Sequence, residues 1–267
     1  MRQVQRRWQD WEVEFIRRFY GESTYSHLGW CLDRTWTSVR NKANSLGLTG
    51  NANLGKRYST DLEFFRTPNV LNSYWAGFIA ADGCVSGNRL SIGLNLKDRA
   101  HLEKFVFDCG FTGPVSPPYA NGSVQVSISC KRYVEDLRKN FNVVERKSLT
   151  LMPPGLLNRK CSMAFVCGLI DGDGTVGLKE GGYLLICCVG TKPVLEWVRG
   201  WFDCVSSCRR GRQRVRPRPG GRTFVYRVSG AKAMDVWRVF SGLEIPCLER
   251  KWKVAKDARR TWRKVPA

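Results

Sequence analysis

The chain has 267 residues, 43% of them hydrophobic, enough for one large domain or two to three smaller ones with sizeable cores. Its 44 Lys and Arg against 23 Asp and Glu give a formal charge of +21, so the expected partner is a polyanion, nucleic acid before membrane. The longest apolar runs (163–170 and 183–189) are too short to span a bilayer, the chain opens on basic and polar residues instead of an apolar signal segment, and eleven cysteines fit an intracellular, reducing compartment.

Residues 1–50 read as a unit of their own. Trp8, Trp11, Phe15 and Phe19 fall at helical spacing and predict an aromatic core stripe on a first helix. A second helix is expected over about 25–32, and Asp33-Arg-Thr35 opens a third that runs to Leu46 before Gly47. Three short helices with a tryptophan-rich core resemble a Myb/SANT-like or helix-turn-helix module. The resemblance implies that the third helix enters a DNA groove, with Arg40, Asn41 and Asn44 as its contact residues. Residues 51–68, polar and rich in Gly, Asn and Lys, read as a linker.

A first repeat is expected over 69–158. After an apolar helix, Leu90, Ile92, Leu94 and Leu96 alternate with Ser91, Gly93 and Asn95, the mark of a half-buried strand. A helix over about 98–109 follows, and Val124, Val126 and Ile128 then alternate with Ser123, Gln125, Ser127 and Ser129. A second repeat over 159–267 has the same order: an apolar strand over 183–189, a helix over 193–204, a strand over 222–229, and a basic tail expected to be helical. The class is α+β, each repeat running helix, strand pair, helix, strand pair, helix. The polar strand faces carry groups suited to a DNA groove, with Arg89, Asn95, Lys97, Gln125 and Arg227 as candidates. Between the last two strands, Arg210, Arg212, Arg214, Arg216 and Arg218 recur with period two. In an extended chain they share one face, which no core could absorb and a phosphate backbone or guanine edges could. Pro217 and Pro219 oppose a central strand here, and the opposing reading is a disordered basic loop.

Each repeat opens on a version of one stretch: Tyr74-Trp-Ala-Gly-Phe-Ile-Ala-Ala-Asp-Gly83 and Phe165-Val-Cys-Gly-Leu-Ile-Asp-Gly-Asp-Gly174. Asp82 and Asp173 lie 91 residues apart (173 minus 82), each in the last turn of a predicted helix, with Gly83 and Gly174 placed to end it in the left-handed conformation. A helix C-terminus disfavours a carboxylate unless a cation sits nearby. Small residues at Ala76, Gly77, Ala80, Gly168 and Gly172 predict two helices packed at short distance, bringing both acids together. Paired hard oxygen ligands in a basic protein suit a divalent metal such as Mg2+, with substrate phosphate completing its coordination.

The two stretches resemble the repeated motif of the LAGLIDADG homing endonucleases in their single-chain, two-motif form. The resemblance covers both repeats; the first copy departs from the motif at Ala80, where the second has Asp171. It implies a pseudo-twofold pair of αββαββα repeats forming a DNA-binding saddle and a monomer. It also implies Mg2+-dependent double-strand cleavage of a long, asymmetric DNA target. Asp82 and Asp173 would be the catalytic metal ligands, joined by the backbone carbonyls of Ala81 and Gly172. The phrases Glu145-Arg-Lys147 and Glu249-Arg-Lys251 recur near the end of each repeat, and the resemblance gives Lys147 and Lys251 a catalytic role beside the metals. The rival readings are a maturase assisting the splicing of intron RNA, and a DNA-binding regulator on a decayed nuclease scaffold.

Overall fold

The computed structural model describes residues 6–20, 23, 25–48, 58–206 and 213–262, without the side chains of 259–262. It divides into two compact units, Met1–Ser59 and Thr60–Ala267.

The first unit contains α1 (Asp10–Phe19), α2 (Tyr25–Cys31) and α3 (Trp36–Ser45). Thr35 caps α3, its Oγ1 accepting from Ser38 N at 3.2 Å, and Gly47 at φ +72° turns the chain away after it. Ile16, Leu28, Leu32, Val39 and Ala43 form the centre, with Trp8, Phe15 and Phe19 packed around them. The expected aromatic stripe needs a correction, because Trp11 is 58% exposed and Glu12 takes the buried face. The cause is Arg34, whose Nε and Nη2 donate to the two Glu12 oxygens at 2.9 and 2.8 Å while its guanidinium lies 3.8 Å over the Trp8 ring. That guanidinium holds the Glu12 carboxyl down at about 2. A carboxylate paired this way packs as a core residue.

The second unit is α+β with one antiparallel sheet in each repeat. The first repeat runs α4 (Val70–Asp82), β1 (Gly83–Ser86), β2 (Arg89–Asn95), α5 (Arg99–Asp108), β3 (Ser123–Ser129) and α6 (Lys131–Phe141). The second runs α7 (Arg159–Asp173), β4 (Thr175–Leu178), β5 (Leu184–Gly190), α8 (Lys192–Val205), β6 (Arg216–Pro217), β7 (Phe224–Ser229), α9 (Ala231–Ser241) and α10 (Glu249–Trp262). Strand orders are β1-β2-β3 and β4-β5-β7-β6. The second repeat thus realises the expected αββαββα order and adds α10. The first has no regular fourth strand among the described residues. Pro114, Pro117 and Pro118 remove the donors a ladder needs, and the stretch meets β3 through isolated N–H bonds from Ser116 to Gln125 O and from Tyr119 to Ser123 O, each at 2.8 Å. In the second repeat β6 is an edge strand of two residues, which is where Pro217 can be tolerated.

The stretch expected as a linker, 51–68, is corrected in its second half; 51–57 lie outside the described residues. Phe64 and Phe65 are buried, Phe65 meeting Tyr133 edge-on at 5.1 Å, and Thr60 Oγ1 donates to Cys109 O at 3.0 Å. Two adjacent phenylalanines gain more from burial than a tether gains from freedom.

Candidate active site

The site is built where α4 and α7 cross. A Cβ at Gly77 would stand 2.0 Å from Phe165 O, and one at Gly168 would stand 2.1 Å from Tyr74 O. These are one contact seen from each repeat, since 168 minus 77 and 165 minus 74 both equal the 91-residue spacing of the aspartates. Backbone therefore lies on backbone, and only glycine fits. Further along, a Cβ at Gly172 would stand 2.3 Å from Ala81 Cβ, so the C-terminal ends of both helices stay together. Asp82 and Asp173 are the last helical residues there, and both are exposed.

Gly83 and Gly174 do not take the expected left-handed conformation. Both are extended, at φ −80° and −86°, because each leads straight into the sheet. Glycine is needed for room: a Cβ would meet Ile79 O at 2.7 Å or Ile170 O at 2.6 Å.

The cation that the helix ends require is a lysine in each repeat. Lys251 Nζ donates among four carbonyl oxygens at the end of α7: Asp171 O at 2.6 Å, Gly174 O at 2.8 Å, Gly172 O at 2.9 Å and Ile170 O at 3.0 Å. Lys147, only 7% exposed, donates to Gly83 O and lies 3.5 Å from Ala81 O. Neither lysine pairs with the glutamate of its own phrase: Glu145 accepts from Gly87 N, and Glu249 takes Lys104 at 3.0 Å. Both ammonium groups occupy the negative ends of helix dipoles.

The electrostatics run crosswise. Burial, and next the charge of Asp173, push the Asp82 carboxyl above its usual range, while Lys251 and then Lys147 pull it back. Burial likewise raises Asp173, with Lys147 the strongest opposing charge. Each carboxylate is open to solvent on one side, while the floor of the crossing strips water from the other. Burial lowers both lysines, and the aspartates oppose that shift. Two acids and two lysines thus form one coupled set at the junction of the repeats.

Asp171, at the motif position where the first copy has Ala80, is 1% exposed. Its Oδ2 accepts from Tyr74 Oη and Leu248 N, and its Oδ1 from Trp252 Nε1, each at 2.7 Å. It is a structural acid joining α4, α7 and α10. Sequence reading gave it no role. The available signal was the mismatch with Ala80, since a polar residue introduced into a buried position needs donors nearby.

The candidate nucleic-acid residues lie mostly on open surfaces. Arg89 and Lys97 are exposed on the first sheet and just beyond it, as is Asn95, whose Oδ1 accepts from Lys97 N at 3.2 Å. Gln125 is half-buried, its Nε2 3.3 Å from Ser127 Oγ. Arg227 is exposed on β7; Arg214, Arg216 and Arg218 are exposed, while Val215 between them packs on the core, so the period-two face exists. Arg210 and Arg212 lie outside the described residues. Arg40, Asn41 and Asn44 are exposed on α3, with the Arg40 guanidinium 5.2 Å over the Trp36 ring.

Among the described residues no three or more His, Cys, Asp and Glu gather as metal ligands, and no helix is long and apolar enough to cross a membrane. A divalent cation nonetheless fits between Asp82 and Asp173. The charge of Asp173 raises the pKa of Asp82, and a cation between the two carboxylates would relieve that repulsion. So few protein donors suit Mg2+, which keeps several waters and accepts phosphate oxygens. The expected carbonyl ligands are partly engaged, since Gly172 O accepts from Lys251 and Ala81 O faces Lys147, leaving each its second lone pair.

The fold and site together define a pseudo-twofold α+β protein with one acid and one lysine from each repeat at its centre. No protein-family model matches the chain, and no curated protein matches it. Solved structures do. Meganuclease I-SmaMI bound to uncleavable DNA is 15% identical, with 73% of this chain and 90% of that chain covered and a TM-score of 0.49. LAGLIDADG meganuclease I-CpaMI bound to uncleaved DNA is 12% identical, with 74% and 93% covered and a TM-score of 0.49. The I-LtrWI LAGLIDADG homing endonuclease bound to target DNA is 13% identical, with 76% and 92% covered and a TM-score of 0.45.

Proposed function

We propose that the chain is a site-specific, metal-dependent double-strand DNA endonuclease of the LAGLIDADG homing type. The observation that carries the reading is the reciprocal glycine contact of α4 and α7, which sets two exposed aspartates side by side near a buried Lys147 and a half-buried Lys251. A charged acid at a helix C-terminus weakens a fold, and two matched ones with built-in counter-charges indicate a use.

Asp82 and Asp173, with Ala81 O and Gly172 O available beside them, would hold Mg2+. The metal would supply Lewis acidity for the scissile phosphate and lower the pKa of the attacking water. Lys147 and Lys251, fixed by carbonyl oxygens, cannot swing away, so positive charge stays where the phosphate gathers negative charge. The two sheets would form a saddle on the major groove, with Arg89, Asn95, Lys97, Gln125 and Arg227 over base edges. The arginines from Arg210 to Arg218 would follow a phosphate backbone. Because the repeats differ and share one chain, the enzyme would act as a monomer on a long, asymmetric target. The three-helix unit would add contacts through Arg40, Asn41 and Asn44.

The test is cleavage of a randomised duplex library by the purified chain with Mg2+, beside Asp82→Asn and Asp173→Asn. The expected result is sequence-specific double-strand cutting by the parent, abolished in both variants and by EDTA. Specific binding with no cutting would overturn the reading.

A further inference from the structure

The two sheets present different chemistry on their outer faces, and strand register aligns them position by position. Cys84 on β1 pairs with Ser91, and Thr175, the equivalent residue after the second motif, pairs with Cys187. Ser91 in turn pairs with Ser127, and Cys187 with Arg227. Counting along both strands in steps of two sets Arg89 against Leu185, Ser91 against Cys187, Gly93 against Val189, and Gln125 against Val225. The first face is therefore a hydrogen-bonding surface, joined internally by the Ser91 and Ser127 hydroxyls at 2.9 Å. The second has an apolar centre of Leu185, Cys187, Val189 and Val225.

Leu185, Val189 and Val225 are half-buried and Cys187 between them is 9% exposed, yet the four stand apart from the main core. Their strand neighbours Leu184, Ile186, Cys188, Tyr226 and Val228 point into the core, and among the described residues none of the four joins that cluster. Thr175 and Arg227, on either side of Cys187 in the same cross-strand row, are exposed, and Leu185, Val189 and Val225 are half-buried, so the face reaches solvent around a covered centre. Its flank is of one sign. Arg216 pairs across from Val225, and Arg214, Arg218, Arg222 and Arg227 are exposed around it. An apolar strip beside arginines suits a duplex, because the major groove offers one apolar group, the thymine C5-methyl, between rows of phosphates.

We propose that the second sheet reads its half-site largely through thymine methyl groups, with Leu185, Val189 and Val225 as the specificity-determining residues, whereas the first sheet reads through hydrogen bonds. The inference rests on the endonuclease reading. It predicts a second half-site rich in thymine under this strip and a first half-site without that bias.

The experiment uses the full chain and the target selected from the library. Thymines are replaced by deoxyuridine in one half-site at a time, which removes the methyl and keeps every hydrogen-bonding group, and binding is measured without Mg2+. The half-site under the second sheet is identified as the one whose preference changes in Val225→Gln, which installs the first sheet's residue on the surface strip; melting confirms that the variant folds. The expected result is a loss of about three- to fivefold per methyl there and almost none in the other half-site. Val225→Gln should also blunt the effect. A selected target on which deoxyuridine acts equally in both half-sites, or in neither, overturns this inference and leaves the endonuclease standing. Failure to select any sequence overturns both.

Discussion

Tyr74 donates its hydroxyl proton to Asp171 Oδ2 at 2.7 Å across the helix crossing, and the positions 91 residues away from this pair hold Phe165 and Ala80. One polar pair thus stands against one apolar pair on the two sides of the pseudo-twofold axis. The Tyr74 hydroxyl has a single proton, so the neighbouring His101 Nε2, at 3.0 Å, must carry its own and donate to the tyrosine oxygen. His101, Tyr74 and Asp171 form a directed chain ending on the carboxylate that also holds Leu248 N and Trp252 Nε1. The relay ties α5, α4, α7 and α10 together on one side only.

The cost of breaking that chain depends on which end is removed. Tyr74→Phe leaves Asp171 with two of its three donors and should cost about 1–2 kcal/mol. Asp171→Ala leaves three buried donors unpaired and should cost about 3–5 kcal/mol. Urea denaturation orders them, and an Asp171→Ala protein more stable than Tyr74→Phe would mean the carboxylate is a burden, not a link.

Much of the second unit was legible in the sequence. Asp82 and Asp173 stand out because a helix end is a poor place for an acid, and Gly77 and Gly168 because nothing else permits close backbone approach. The lysine contacts were partly legible: Lys147 and Lys251 were marked by a recurring phrase, yet their binding to carbonyl oxygens instead of glutamates depends on chain returning from 65 and 78 residues away (147 minus 82 and 251 minus 173). Long-range pairs leave no periodicity. Asp98 with Arg250, bidentate at 2.6 and 2.7 Å, is another, and so are Glu12 with Arg34 and Asp171 with Tyr74. The aromatic stripe failed at Trp11 for the same reason, since only the distant arginine makes Glu12 an inward residue.

The crossing itself has a prediction with little room for compromise. Gly168→Ala would set a methyl carbon 2.1 Å from Tyr74 O and 2.6 Å from Phe78 N, both backbone atoms that cannot rotate aside. The helices would have to separate, at a cost of about 3 kcal/mol or more. Cleavage should fall with stability because the same shift parts Asp82 from Asp173. Gly177→Ala, where nothing lies within 4 Å of the added carbon, is the control. Equal melting temperatures for the two variants would contradict the close approach.

His101 gives the fold a pH dependence of definite sign. Burial lowers its pKa to about 4, against 6.5 in an unfolded chain. Above pH 6.5 neither state holds the proton and the residue costs nothing. Between about 6.5 and 4 the unfolded chain binds a proton that the fold excludes, so stability falls as pH falls, by about 3 kcal/mol in total. His101→Phe keeps an aromatic ring against Trp75 and Phe78 and removes the titration. The stability difference between the parent and this variant should therefore shift in the variant's favour between pH 7 and pH 4.5. Parallel urea curves across that range would rule His101 out as the source.

The acids that would cut DNA should weaken the metal-free protein. The Asp82 pKa is raised, so its ionised form is disfavoured in the fold, first by burial and then by Asp173. Neutralising it removes a negative charge from a helix C-terminus, worth about 0.3–1 kcal/mol, while Lys147 and Lys251 keep their carbonyl acceptors. Asp82→Asn should thus lose cleavage and, in EDTA, melt at a higher temperature than the parent. Asp173→Asn should behave the same way, because its carboxyl is raised by the same burial. With Mg2+ present the order should narrow or reverse if the proposed site holds the cation, since the parent alone would then gain from it. A variant less stable than the parent in EDTA would show that these acids serve the fold, and would remove the main physical reason for assigning them to catalysis.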